Sequence, residues 1–259
     1  MSAERPADPG APVRVDGGPT GVLLCHGFTG SPRSLHLWSA AAVDAGFTVR
    51  VPLLPGHGTR WQDMNRTTFD DWLAAVTTSL AELAERCDTV VVGGLSMGGT
   101  LALRLAELHP GTVDGLVLVN PSVMSLRREM RILPLLKRVL PSVAAIGDDI
   151  AKEGVTEGAY PRTPLTALDS LRRGWATVRA DLSEVRAPLL LLHSRTDNVV
   201  EPENSAIVLS GVSSTDVTEV WLEHSRHVAT LDHDAALITA SAVDFTRRIS
   251  GVAVSGVTE

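Results

Sequence analysis

Residues 89–108 pass from a β-branched run, Thr89-Val90-Val91-Val92-Gly93, through Gly94-Leu95-Ser96-Met97-Gly98 directly into a helix-forming stretch that stops at His109-Pro110. A strand joined to a helix by so sharp a turn pushes Ser96 into disfavoured backbone space and lifts its hydroxyl off the sheet edge. Flanking glycines suit such a turn because a Cβ there would collide with the neighbouring strand and helix. With this composition a Gly-x-Ser-x-Gly pattern arises by chance in roughly one such chain in seven. The strand before it and the helix after it are what give it meaning.

The same strand-then-helix rhythm runs through most of the chain and argues for βαβ units on a parallel sheet. Strands are expected at 21–25, 47–51, 116–119, 188–192 and 217–222. A helix over 32–45 is closed by Gly46, and another starts from Thr67 as N-cap and carries Trp72, Val76, Leu80 and Leu83 on one face. A final helix covers about 234–249. Residues 122–183 break the rhythm: Pro134, Pro141, Pro161 and Pro164 cut short helical stretches, with no convincing strand. An insertion of this size between sheet strands is expected to sit over the carboxyl edge as a lid or cap. The expected organisation is therefore a flexible tail at 1–12, an α/β core at 13–121 and 184–259, and a cap insertion at 122–183.

Composition narrows the function classes. The chain has 259 residues, 44% hydrophobic and 20% charged, enough for one α/β domain with a large core. Its net charge is −7, with no basic block outside 127–138, which argues against nucleic-acid binding. Cys25 and Cys87 read as small buried hydrophobes in a reducing compartment. The first twelve residues lack an apolar signal core, and no apolar run approaches the ~20 residues that cross a bilayer, so a cytoplasmic protein is expected. The histidines lack metal-site spacing, and Gly93-Gly94 and Gly98-Gly99 flank the serine rather than forming a dinucleotide fingerprint. No metal and no cofactor are expected.

A nucleophilic serine needs a general base, and the base needs a carboxylate to hold its tautomer. In this arrangement the partners follow in the order serine, acid, histidine, on loops after later strands. Asp197 lies just past the strand 188–192, at the edge where ligand-facing loops gather. Asp216 precedes its strand and Asp169 lies in the insertion, so both fit less well. The loop after 217–222 offers His224 and His227; His227 lies deeper and precedes an apolar pair that can anchor it. His57 and His193 precede the required positions, while His36, His109 and His233 sit in or at expected helices. The developing oxyanion needs preorganised N–H donors. Met97 supplies one, and the loop His26-Gly27-Phe28-Thr29-Gly30-Ser31-Pro32 supplies the other at Phe28, with His26 bracing the loop.

Together, His26-Gly27-Phe28, Pro55-Gly56-His57-Gly58, Gly94-Leu95-Ser96-Met97-Gly98, Asp197 and His227 resemble the α/β-hydrolase superfamily over residues 20–250. The resemblance implies an α/β-hydrolase fold: a mostly parallel central sheet flanked by helices, with a small helical cap. His227-Val228-Ala229-Thr230-Leu231-Asp232, Ala145-Ile146-Gly147-Asp148-Asp149 and Glu157-Gly158-Ala159-Tyr160-Pro161 look most like the bacterial monoacylglycerol lipases and carboxylesterases. In that branch a cap glutamate contacts the glycerol hydroxyls, a role the match puts on Glu157. A glycerol monoester needs an apolar tunnel and one or two acceptors; Ile132, Leu133, Leu136, Val143 and Ile146 supply apolar surface. Ile146 and Glu157 are the expected substrate-binding residues. Arg127, Arg128, Arg131, Lys137 and Arg138 among apolar residues could approach an anionic lipid surface, or form a solvated helix face. The expected activity is hydrolysis of carboxylic esters, monoacylglycerols or similar lipophilic esters, through an acyl-enzyme. A thioesterase or acyltransferase would use the same triad, and a non-catalytic ligand-binding member is the remote alternative. The oligomeric state stays open.

Overall fold

The computed structural model describes residues 7–145 and 147–251. The chain enters through β1 (Val13–Val15) and β2 (Thr20–Cys25), then a single-turn 3-10 helix and α1 (His36–Asp44), β3 (Thr48–Val51), the short α2 (Trp61–Met64) and α3 (Phe69–Ala84). Next come β4 (Thr89–Leu95), α4 (Met97–Leu108) and β5 (Gly115–Val119). The insertion holds α5 (Leu133–Leu136), β6 (Ser142–Ala144), β7 (Arg162–Pro164) and α6 (Leu165–Asp181). The core closes with β8 (Leu189–Ser194), α7 (Glu203–Gly211), β9 (Val217–Leu222) and α8 (Ala235–Ile249).

Seven strands form one sheet in the order β1-β3-β2-β4-β5-β8-β9, parallel throughout except for β1 against β3. A parallel sheet is covered on both faces, which is why β2 and β5 are buried along their whole lengths and read as unbroken apolar runs. Alternate residues face opposite layers. Leu23, Val92, Leu116 and Leu118 pack with α3, α4 and α6, while Leu24, Val91, Val117 and Val119 pack with α1 and α8. The expected mostly parallel sheet flanked by helices is present. Among the described residues no helix is long and apolar enough to cross a membrane.

Several boundaries differ from the sequence expectation for identifiable reasons. The N-cap of α3 is Thr68, which forms a capping box with Asp71. Thr67, the expected cap, instead donates its hydroxyl to the Met64 carbonyl and accepts the Trp72 indole N–H. In the insertion, β6 and β7 pair antiparallel over three residues each. Strands so short, bounded by Pro141 and Pro164, leave no periodic trace in the sequence. α7 escaped for a different reason: the residues it buries are Asn204, Ser205 and Val208, so it has no apolar stripe to read. His193 and Ser194 extend β8 rather than starting the following loop. Finally, α6 lies against α3 and α4, so the later part of 122–183 helps to cover the sheet.

Candidate active site

Ser96 sits at the N-cap of α4, at the carboxyl end of the central strand β4, with φ 56° and ψ −117°. A non-glycine residue reaches this region only where its surroundings overdetermine it. Here its N–H bonds the Val119 carbonyl at 3.0 Å, and its carbonyl accepts from Ser122 and Gly99. The glycine requirement on either side is steric. A Cβ on Gly94 would stand 2.2 Å from the Gly98 carbonyl carbon, and one on Gly98 would stand 1.8 Å from the Cys25 carbonyl oxygen.

Asp197 and His227 arrive from the loops after β8 and β9. His227 Nδ1 and Asp197 Oδ2 are 2.7 Å apart, so the proton sits on Nδ1 and Nε2 keeps its lone pair. The other carboxylate oxygen, Oδ1, accepts the Val199 and Val200 N–H groups at 2.8 Å each. Burial would raise the Asp197 carboxyl, but His227 and those two amides hold it below the ordinary carboxylate range. Burial would likewise lower His227; Asp197, with Glu157 and Asp149 behind it, outweighs this and holds the imidazole above its ordinary value.

The rival candidates lie elsewhere. His224 is exposed, with its backbone N–H on Asp234. His193 is buried in β8 behind Asp197, 3.9 Å from its Oδ2 and 2.5 Å from the Ser205 hydroxyl. Asp216 pairs with Arg248, and Asp169 is held by Lys137, Arg172 and Arg173. Both cysteines are free thiols, and burial pushes Cys25 up to about 12.

Phe28 lies in the turn after β2 and Met97 opens α4; among the described residues neither amide N–H has a hydrogen-bond partner. The Phe28 turn is braced from behind. His26 Nε2 accepts the Leu54 N–H at 3.2 Å, so Nδ1 carries the proton and donates to the Gly27 carbonyl at 3.0 Å. His57 stacks edge-on against His26 and Trp72. Desolvation pushes His26 down to about 3 and His57 down to about 4, so both rings are neutral braces near pH 7.

A cavity of about 470 Å³ opens beside Ser96 and His227. Its wall is mostly apolar: Phe28 and Met124 near the serine, Met130, Leu133, Leu136 and Val143 from the insertion, and Leu171 and Trp175 from α6. Trp175 is fixed by its indole N–H on the Ser122 hydroxyl at 3.2 Å. Glu157 also faces this cavity, its Oε2 3.2 Å from where a methyl on Gly30 would stand. Desolvation, with Asp148 nearby, pushes its carboxyl up to about 7, against the opposing pull of His227. Asp148 accepts the Glu157 N–H at 2.7 Å and the Thr156 hydroxyl, which fixes the turn that presents Glu157. Ile146, the other expected substrate contact, lies outside the described residues.

Three polar residues frame this site without having been singled out by their chemistry. Asn120 (φ 45°) ties the ends of β5 and β8 to the histidine loop through Ser194 and the His227 carbonyl. Asn204 takes the Val123 and Met124 N–H groups and so shapes one cavity wall. Asp149 accepts N–H groups from both the Asp197 loop and the His227 loop. An Asn or Asp whose task is to satisfy distant backbone amides looks in sequence like any turn residue.

Residues 20–234 match the family described as "Serine aminopeptidase, S33". The chain is 43% identical over 254 residues to a thermostable monoacylglycerol lipase of Bacillus sp. (strain H-257), covering 97% of this chain and 100% of that one. It is 26% identical over 241 residues to a carboxylesterase of Bacillus subtilis (strain 168), covering 92% and 96%. A solved structure described with LipS and LipT, two metagenome-derived lipolytic enzymes, superposes with a TM-score of 0.90 at 38% identity, over 93% of this chain and 98% of that chain.

Proposed function

Because the chain belongs to the serine aminopeptidase S33 family and is a carboxylic ester hydrolase of α/β-hydrolase fold, we propose that its substrates are monoacylglycerols, cleaved by Ser96, His227 and Asp197. The observation that carries this reading is a desolvated carboxylate, Glu157, in a largely apolar cavity that Ser96 and His227 share and that Arg127 and Glu129 also line. A monoacylglycerol has that form: a long apolar chain and a head with two hydroxyls.

In the proposed reaction the Ser96 hydroxyl attacks the ester carbonyl while His227 Nε2 takes its proton. Asp197 holds the imidazole in the productive tautomer and stabilises the imidazolium. The Phe28 and Met97 N–H groups receive the oxyanion. Collapse of the intermediate expels glycerol, protonated by His227, and leaves the acyl group on Ser96. A water deprotonated by His227 then releases the fatty acid. Because His227 must be neutral to act, activity is lost as pH falls through its raised pKa.

In this reading residues 122–183 provide the cap, the acyl chain lies along Met130, Leu133, Leu136 and Val143, and Glu157 accepts from the glycerol hydroxyls. Ile132, Leu135 and Val139 project outward, the last two 65% and 76% exposed, beside Arg127, Arg128, Arg131 and Arg138. Such a face suits approach to an anionic lipid surface that delivers the substrate. A cytoplasmic setting fits the two free thiols.

The test separates the head group from the chain. In Glu157→Ala, assayed above pH 7 where a carboxyl raised to about 7 is ionised, kcat/KM on a monoacylglycerol falls about 10–100-fold, the worth of one or two hydrogen bonds to a charged group. On a p-nitrophenyl ester of the same acid, which has no glycerol head, it stays within about 3-fold. Equal rates for variant and wild type on the monoacylglycerol would exclude this role for Glu157.

A further inference from the structure

The stretch that follows Gly147 in the insertion is bonded into the histidine loop from both sides. Asp149, a buried residue, uses one carboxylate oxygen, Oδ2, to accept the His227 N–H at 3.2 Å and the Asn198 N–H at 3.1 Å. Its Oδ1 accepts the Asn198 side-chain amide at 2.9 Å, and its backbone carbonyl accepts the Val228 N–H at 3.1 Å. From the opposite direction Asp232, also buried, reaches back to the Ala151 and Lys152 N–H groups at 2.6 and 2.9 Å while holding Arg226 and His233. Between them Ile150 is buried with Val228, Ala229 and Leu231.

Other bonds tie the His227 loop to the sheet and to the Asp197 loop: Ser194 to the Arg226 carbonyl, Thr196 to the Ser225 carbonyl and Asn120 to the His227 carbonyl. None of these engages the residue after Asp197 or the amide of His227 itself. Asp149 engages both, from the insertion side.

We propose that Asp149 is a positioning residue for the acid–base pair, its single carboxylate holding the Asp197 loop and the His227 loop at one fixed separation. The proposal rests on reading Asp197 and His227 as acid and base. Without the carboxylate, the buried His227 N–H and the two Asn198 donors lose their acceptor, and the loops lose their tie on the insertion side. A displacement near 1 Å at reacting atoms costs on the order of 100-fold in rate. The neighbouring residue, Asp148, holds the Glu157 N–H, so the substrate-facing carboxylate and the acid–base pair hang on two adjacent aspartates.

The experiment compares wild type, Asp149→Ala, Asp149→Asn and Ser96→Ala. It measures kcat, KM and the pH profile on a p-nitrophenyl ester, the rate of labelling by a fluorophosphonate, and thermal unfolding. The alanine variant should lose about 10–100-fold in kcat with KM within about 3-fold, and should be labelled correspondingly more slowly. Asparagine keeps an oxygen at the Oδ2 position for the two backbone donors, and the Asn198 amide can turn to accept its NH₂. It should therefore recover kcat to within about 5-fold of wild type. The groups facing His227 are Asp197, Glu157, Asp149 and the neutral His193. Removing one negative charge from that set should move the acidic limb of the Asp149→Asn profile to lower pH. An alanine variant with wild-type kcat overturns the proposal. So does an asparagine variant as impaired as alanine with its acidic limb unmoved. If the alanine variant does not fold, the asparagine pH profile decides: a shifted limb supports the proposal and an unshifted one ends it. Wild-type turnover in Ser96→Ala would instead overturn the reading of the site on which the proposal depends.

Discussion

Ester turnover in a Ser96→Ala chain is expected to fall by about 10⁴–10⁶-fold, because the acyl-enzyme route closes and only the oxyanion donors and binding remain. Hydrolysis of a p-nitrophenyl ester and fluorophosphonate labelling both read this out; retained labelling elsewhere on the chain would move the nucleophile from residue 96. Stability should not follow activity. Alanine keeps the Cβ that makes φ 56° and ψ −117° costly, so its unfolding temperature stays near that of wild type. Ser96→Gly, equally inactive, relieves that strain and should gain about 1–3 kcal/mol in stability. A glycine variant no more stable than alanine would show that the turn carries no strain.

Gly98→Ala is expected to destabilise the fold rather than the chemistry, by about 3 kcal/mol or more, beyond the usual cost of overpacking. The added methyl would stand 1.8 Å from the Cys25 carbonyl oxygen, and a backbone carbonyl in the centre of a sheet cannot rotate away as a flexible side chain can. Either β2 or the start of α4 must move, and both carry site residues. Denaturant unfolding checks this directly: a variant within about 1 kcal/mol of wild type would mean that the close approach is not needed. Gly111, where an added Cβ meets nothing within 4 Å, is the matched control.

The parts of the site that sequence made legible share one property: their requirement is local. Gly94, Ser96 and Gly98 are dictated by a turn five residues long, and Asp197 and His227 stand just after strands whose apolar runs announce them. Met97 follows from Ser96 by adjacency. Thr68 shows the limit of local reasoning, since Thr67 would cap equally well until the Trp72 indole and the Met64 carbonyl claim its hydroxyl.

Residues that act across the fold were not legible. Asn120 reaches Ser194 and His227, 74 and 107 positions away; Asn204 reaches back 81 positions to Val123. α7 went unread because its inward face serves backbone amides instead of an apolar layer. β6 and β7 pair residues 18 to 22 apart over three positions each, too few for a period to show.

By itself, then, the sequence determined the layered α/β architecture and singled out Ser96, Asp197 and His227 as the residues of the proposed triad, because hydrophobic periodicity and turn sterics are properties of neighbouring residues. Only the tertiary structure decided that Asp197 and His227 meet at 2.7 Å and that Glu157 faces the cavity of Ser96. It alone revealed that Asp149 joins the two loops. These depend on how buried amides and carboxylates far apart in the chain satisfy one another, which the composition of a local segment does not encode.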